Sequence, residues 1–398
     1  MTGGPADRLQ AALEALDARL PRPEQFPHRA RGRWLTARAG TALGVCFVVC
    51  FVTGVWSHVL QHPPYGFVPP SRPWWGYALT QGVHVTTGMA SIPLLVVKLW
   101  SVAPRFWRRP LLPSSLRPTR SALRHGIERV SVLVLVASAV FELVTGVLNV
   151  AQAYVFPFFF PAVHFAVAWL AVGSMVLHLA VQWPAIRGGW RLREARRLTD
   201  QARGGLTRRG VLGLGLVGSA AAVLTTVGDK IPVLSQISVF SQRSQRGPQG
   251  LPVNGLAVWA GIDGAGLAER WRLQLVGPAG QVVLDLAALQ GMTQVTVRLP
   301  IACVEGWSVA ADWTGVRLAD LAGLVGGGTR AVVSSPDPGL YGRSEVGPAA
   351  FADPDTLIAL QLNGEPLALD HGFPARLIAP HRPGALQTKW LDRIEVVR

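Results

Sequence analysis

Five histidines and one cysteine stand out from the rest of this 398-residue chain by their surroundings. His58, His84, His125, His164 and His178 lie in or at the ends of long apolar runs. Cys303 sits in "LPIACVEGWSV", far from the other two cysteines, Cys46 and Cys50. An ionisable side chain in an apolar run is costly, and its presence there points to function. A thiol whose possible partners lie in a distant apolar segment is not expected to form a structural disulfide.

His164 and His178 share one run. Their separation in a helix is about 21 Å along the axis and only about 40° around it, so one face presents an imidazole near each end. Haem iron accepts neutral imidazole nitrogen, and a pair spaced in this way can hold two b-type haems stacked across a bilayer once neighbouring helices supply second ligands. By depth, His84 matches His164 at an outer haem and His125 matches His178 at an inner one. His58 is a substitute ligand or an exit residue at the outer haem, and His28 competes with His125 for the inner place.

The elements that must carry these residues follow from hydropathy. A bilayer core needs about 20 apolar residues in helix, and five stretches qualify, near residues 38 to 60, 75 to 101, 126 to 149, 160 to 183 and 210 to 228. A formal charge of +15 could indicate nucleic acid. The arginines, however, bunch at 22 to 38, 105 to 124 and 187 to 209, each bunch flanking an apolar run. That is the positive-inside pattern of a membrane protein and argues against a nucleic-acid surface. The chain is therefore expected to lie in the cell membrane, multi-pass. It divides into a cytoplasmic segment 1–34, a four-helix transmembrane bundle 35–185, a basic cytoplasmic loop 186–209, a fifth tethering helix 210–228 and an extracytoplasmic domain 229–398.

Thr207, Arg208 and Arg209 lead into the Gly/Ala-rich fifth run, which resembles a twin-arginine export signal placed inside the chain. The alternative is an ordinary positive-inside stop. Beyond it the texture changes. "WRLQLVGP", "QVTVRLPIACV", "TLIALQL" and "RIEVV" read as strands separated by Gly and Pro turns. "LNGEPL" reads as a hairpin, and "VRLADLAGLVGGG" as one short helix with a glycine stop. The expected fold class is an all-α transmembrane helix bundle followed by an α+β, sheet-rich domain.

Over residues 35 to 185 the histidine pattern resembles the four-helix diheme b-type cytochromes that serve as membrane subunits of formate dehydrogenases and nickel-iron hydrogenases. In that family the fourth helix gives one ligand to each haem and the second helix supplies the outer partner. The inner partner comes from the first helix, whose run here has no interior histidine, so the inner ligand stays open between His125 and His28.

In the C-terminal part, "CVEGWSVAADWTGVRLADL", "YGRSEV", "DTLIALQLNGEPLALDHGFPARLIAP" and "LQTKWLDRIEVV" resemble, in this order, the molybdopterin-binding domain of the sulfite oxidase superfamily, especially its bacterial periplasmic methionine sulfoxide reductase branch. The resemblance implies that Cys303 ligates molybdenum through its thiolate, which would account for its staying unpaired. It further implies that His371, Arg376, Thr388 and Lys389 grip the pterin and its phosphate. "VFSQRSQRGPQG" occupies the place of the family's N-terminal cofactor segment, with Phe240 to Gln245 as candidates. Glu305, Gly306 and Trp307 stand where sulfite oxidases carry small and basic residues, which points away from sulfite.

Together these features predict a membrane-bound, molybdenum-dependent oxidoreductase. It would perform oxygen-atom transfer on a small molecule outside the membrane, with reduction of an S-oxide or N-oxide as the first choice. Two b haems would link it to a membrane carrier such as quinone. The alternatives are a ligand-binding or sensory module with a decayed molybdenum fold, and a transmembrane b-type quinol or ferric reductase with an accessory domain.

Overall fold

The computed structural model describes residues 30–106, 120–153, 155–191, 206–227, 247–253 and 255–398, with a few positions between 11 and 24. The apolar runs form five helices: α1 (Arg33–Gln61), α2 (Gly76–Phe106), α3 (Arg120–Val150), α4 (Phe160–Arg191) and α5 (Arg208–Val227). All five are long and apolar enough to cross a membrane. α2 continues through Pro93 and Pro104, and α4 through Pro184. In an apolar bundle such interruptions are tolerated because neighbouring groups re-satisfy the freed carbonyls.

The chain forms two compact units, interleaved in sequence. The first comprises residues 1–51, 87–148 and 155–223, and the second residues 52–86, 149–154 and 224–398. The far end of α1, the start of α2 and the α3–α4 connection thus belong with the C-terminal domain. A single cut between helices and sheets does not describe this division.

In the first unit small residues let helices approach closely. A Cβ added at Gly215 or Gly218 of α5 would come within 2.9 Å of Val97 or 3.2 Å of Pro93 on α2. Ser219 Oγ donates to Ala90 O at 2.7 Å. The fifth helix is thus packed on the second by the small-residue mechanism of apolar helix pairs. α4 meets α1 in the same way: Gly189 lies against Ala37 and the Arg33 carbonyl, and Trp190 Nε1 donates to Thr41 Oγ1 at 3.0 Å. The Arg38 guanidinium lies 4.8 Å from the Trp34 ring and 4.7 Å from that of Trp190. Such stacking accommodates a cation at the edge of an apolar bundle.

Among its described residues the second unit holds ten strands: β1 (Leu273–Gly277), β2 (Gly280–Leu284), β3 (Val295–Ala302), β4 (Ser308–Arg317), β5 (Arg330–Ser334), β6 (Arg343–Val346), β7 (Leu357–Leu362), β8 (Glu365–Pro366), β9 (Arg376–Ile378) and β10 (Arg393–Val397). One sheet has the order β2-β1-β10-β5-β6. The other runs β3-β4-β7-β8, with β9 also paired to β7. Only β1 and β10 pair in parallel in these sheets, with Leu275 opposite Ile394. The sheet-rich expectation holds, and so do its details. Asn363 and Gly364 both have positive φ (52° and 84°) between β7 and β8, as a two-residue primed hairpin turn requires. A short helix spans Leu318–Gly323.

Two hydrophobic cores result. Leu273, Leu275, Leu318, Leu321, Ile358 and Ile394 centre the larger. Leu299, Ile301, Trp307, Trp313, Leu357 and Ile378 form the other, and that second core contains Cys303.

Candidate functional site

Cys303 follows the last residue of β3 and is fully buried. Its backbone closes a tight turn: Cys303 N donates to Trp307 O at 2.9 Å, and Gly306 N to Cys303 O at 3.1 Å. The turn needs glycine at 306, where φ is +91° and an added Cβ would lie 2.7 Å from Val85 Cγ2. Burial, and then the Glu305 carboxylate, push the thiol well above its usual range, with Lys389 acting the other way. Without a metal it therefore holds its proton. A metal ion would replace that proton, since only the thiolate ligates. Among the described residues no three His, Cys, Asp or Glu converge as a metal cage.

The loop from Ala368 to Lys389 gathers the cations. Gly372 has φ +105°, and an added Cβ would stand 3.0 Å from Lys389 Cβ and 3.1 Å from Arg376 Cβ, so the chain makes its closest approach there. Arg376 opens β9 and is 3% exposed. Its Nη1 donates to His371 O at 2.9 Å and its Nη2 to Gln387 O at 3.1 Å. Its Nε is buried with no hydrogen-bond partner. The guanidinium carbon sits 5.4 Å from the Trp313 ring centre. Burial alone lowers the Arg376 pKa to about 9. Burial, and next the charge on Arg376, lower that of Lys389 to about 7. Lys389 Nζ donates to Asp370 O at 2.7 Å and Gly255 O at 3.0 Å. His371 Nε2 is 2.8 Å from Pro248 O, and burial lowers its pKa to about 4.

The structure thus brings His371, Arg376 and Lys389 together. Thr388 is buried beside them, but its hydroxyl meets Ser344 Oγ at 2.7 Å. Arg376 is buried and Lys389 half-buried beside it, both donate to backbone carbonyls, and the Arg376 Nε has no partner, a set of cationic donors that fits a pterin phosphate. A cleft of about 520 Å³ borders the same turn through Leu369 and Asp370 but is lined by none of Cys303, Arg376 or Lys389. Phe240 and Gln245 lie outside the described residues.

The histidines are placed separately in each unit. In the second, Thr53 Oγ1 of α1 lies 3.3 Å from His84 Nδ1, and an added Cβ at Gly54 would be 3.1 Å from the same ring. In the first, Thr145 Oγ1 of α3 lies 3.1 Å from His164 Nδ1, with Gly146 adjacent. The sequence around both threonines is Val-Thr-Gly-Val, at 52–55 and 144–147. Each threonine thus meets the Nδ1 of its histidine. His164 Nε2 is 3.0 Å from Glu142 Oε2, so ligation there requires Glu142 to withdraw. Sequence reasoning missed Glu142, although a carboxylate inside an apolar run is itself the signal. His178 lies on α4, on the same helix as His164. His125 falls in the first turns of α3, where its side chain lies outside the described set, as does His28.

Residues 260–398 match the family described as oxidoreductase molybdopterin binding domain. The mitochondrial sulfite oxidase of Drosophila melanogaster is 32% identical over 157 residues, covering 32% of this chain and 27% of that protein. The NAD(P)H nitrate reductase of Hordeum vulgare is 42% identical over 97 residues, 21% of this chain and 11% of the relative. YuiH of Bacillus subtilis, an uncharacterized oxidoreductase, is 30% identical over 133 residues, 32% of this chain and 66% of its own length. The chain thus spans less than a third of the sulfite oxidase it matches. The C-terminal part is an oxidoreductase molybdopterin-binding domain of the sulfite oxidase superfamily.

Proposed function

We propose that the chain is a membrane-bound molybdenum enzyme performing oxygen-atom transfer outside the membrane, coupled through two b haems to a quinone or quinol carrier. The observation that carries this reading is that one domain holds both a buried thiol, Cys303, and a buried guanidinium, Arg376, whose Nε has no partner. A thiolate for the metal and cations for the phosphate are what the cofactor of such a domain demands.

When bound, the molybdenum cofactor supplies a two-electron couple that accepts or releases an oxygen atom. Cys303 would hold the metal, while His371, Arg376 and Lys389 would hold the pterin and its phosphate. Thr388 would support them through Ser344. For an S-oxide the sulfur–oxygen bond breaks, sulfur keeps the electron pair, and oxygen leaves as water after taking two protons. Two electrons arrive singly from the carrier side. The sequence Glu305-Gly306-Trp307 after the cysteine points away from sulfite, and the resemblance to the methionine sulfoxide reductase branch makes an S-oxide or N-oxide the first choice. In this reading His84 with His164 ligate the outer haem and His178 with His125 the inner. The arginine bunches set the C-terminal domain outside, and Arg208-Arg209 serves its export.

Metal and haem content of the purified chain, with an optical spectrum, tests the proposal. Molybdenum together with two b haems is expected. Haem alone would leave a transmembrane b-type reductase with an accessory domain, and neither would leave a ligand-binding module. Cys303→Ser should abolish reoxidation of reduced haem by methionine sulfoxide while the haem spectrum persists. His164→Ala and His178→Ala should each remove one haem.

A further inference from the structure

The residues flanking Cys303 are held by side chains from α1, α2 and the α3–α4 connection, all within the second unit. Ala302 packs against Leu60 and Tyr77. Val304 O accepts from Gln81 Nε2 at 3.2 Å and from Asn149 Nδ2 at 2.9 Å. Glu305 Oε2 accepts from Gln152 Nε2 at 2.7 Å, beside its bond from Trp307 Nε1 at 2.9 Å. Gly306 rests on Val85. Ala302, Val304, Glu305 and Gly306 thus all touch these segments.

The pattern exceeds what attachment requires. Attachment is already provided by Arg72, whose Nε and Nη2 donate to Asp353 at 2.9 and 2.8 Å and whose Nη2 also reaches Asp355 at 2.5 Å. Three neutral amides converge instead on the two residues after the thiol, two on the Val304 carbonyl and one on the Glu305 carboxylate, and as uncharged donors they fix both without adding a further charge beside a metal site. One of them is strained: Gln152 has φ +54°, a region glutamine avoids. Strain of this kind persists where the surroundings over-determine a position, and it marks candidate functional sites. Gln81 and Val85 are four residues apart, so they share a face of α2, and that face meets the turn directly beside His84.

We propose that Gln81, Asn149 and Gln152 are positioning residues that lock the Cys303 turn onto α2 as the electron-transfer contact between the metal site and the haem ligated by His84. The proposal rests on the functional reading above. The route is short and bonded: Cys303 to Val304 through the chain, Val304 O to Gln81 by a hydrogen bond, and Gln81 to His84 within one helical turn. For each oxygen atom removed from an S-oxide, two electrons from quinol cross this contact one at a time, and the two protons join the departing oxygen.

The test uses the full chain in detergent and needs no substrate. A laser flash with deazaflavin injects one electron, and the haem absorption band follows its redistribution between the haem and the metal. Wild type should show a relaxation independent of protein concentration. Gln81→Leu with Asn149→Leu should retain molybdenum and an unchanged haem spectrum while slowing the relaxation by about tenfold or more, the scale of effect expected when reacting centres are misplaced by a fraction of an ångström to 1 Å. Gln152→Gly should slow it as well without lowering the unfolding temperature, because glycine adopts the positive φ freely. An unchanged rate in these variants overturns the proposal, as does loss of molybdenum from them, which would make the amides supports of the cofactor. A wild-type chain lacking molybdenum or haem would instead sink the functional reading, before any variant is compared.

Discussion

Replacing Arg376 with methionine should affect the cofactor-free and cofactor-loaded proteins differently. Burial brings the guanidinium down to about 9, so holding its charge in the dry interior at neutral pH costs on the order of 5 kcal/mol. Methionine removes that cost and keeps most of the packing against Trp313. It also removes the donors to His371 O and Gln387 O, and two buried carbonyls left without donors cost about 1–3 kcal/mol each. The two effects nearly cancel, so the cofactor-free chain should keep its stability to within a few kcal/mol. In the loaded chain the phosphate loses a buried charge-assisted partner, a loss of about 2–5 kcal/mol. The assay is unfolding of the full chain, purified from cells that make the cofactor and from cells that do not, followed by tryptophan fluorescence and molybdenum content. Trp313, whose ring centre is 5.4 Å from the guanidinium carbon, is a local reporter. The variant should lose most of the stability gain that cofactor gives wild type. Equal destabilisation of both forms would show that Arg376 is a structural cation and would refute the anion-site argument.

Lys389, with its pKa lowered to about 7, binds fewer protons folded than unfolded between pH 7 and the ordinary lysine range. Stability of the cofactor-free chain should therefore rise with pH across that window, and Lys389→Met should flatten the rise in a series of unfolding midpoints. Gly306→Ala places a methyl against Val85 and strains a φ of +91°. It should cost about 1–3 kcal/mol in denaturant unfolding, of which Val85→Ala recovers the steric share and not the backbone share. Arg72→Ala leaves the buried Asp353 carboxylate without its paired donors and should destabilise the second unit by about 1–3 kcal/mol. Arg72→Lys should restore only part, since an ammonium cannot make the two-pronged contact; thermal unfolding measures both.

The strands and helices were legible because their patterns are local. Apolar runs gave α1 to α5, the sequence Asn363-Gly364 announced the turn between β7 and β8, and "VRLADLAGLVGGG" announced the helix at 318–323. Cys303, His371, Arg376 and Lys389 could be nominated from four blocks in order, and the fold brings the last three together at Gly372. The amides Gln81, Asn149 and Gln152 could not be found in this way. Their partners are more than 150 positions away in sequence, and an isolated glutamine near a helix end has no periodicity or spacing to mark it. The interleaving of the two units was hidden for the same reason, because it depends on which helix ends the sheet domain packs against. Glu142 was a different case, visible as an acid deep inside its apolar run.

The charges at the site argue for when the cofactor must arrive. Arg376 is buried and Lys389 half-buried beside it, each shifted toward its neutral form, and burial and Glu305 keep the proton on the Cys303 thiol. A phosphate answers the first imbalance and a metal the second, so one molecule bearing both relieves two opposed penalties in a single step. The turn that must receive it is closed by Gly306 against Val85 and is bonded to Gln81, Asn149 and Gln152. Once those contacts form, the turn is enclosed, with Cys303 fully buried. Loading is therefore easiest before the C-terminal domain settles on the helix ends. If the domain crosses the membrane already folded, as Arg208-Arg209 at the start of α5 suggests under the proposed function, the cofactor enters on the side where it is made and the helix contacts close over a finished site afterwards.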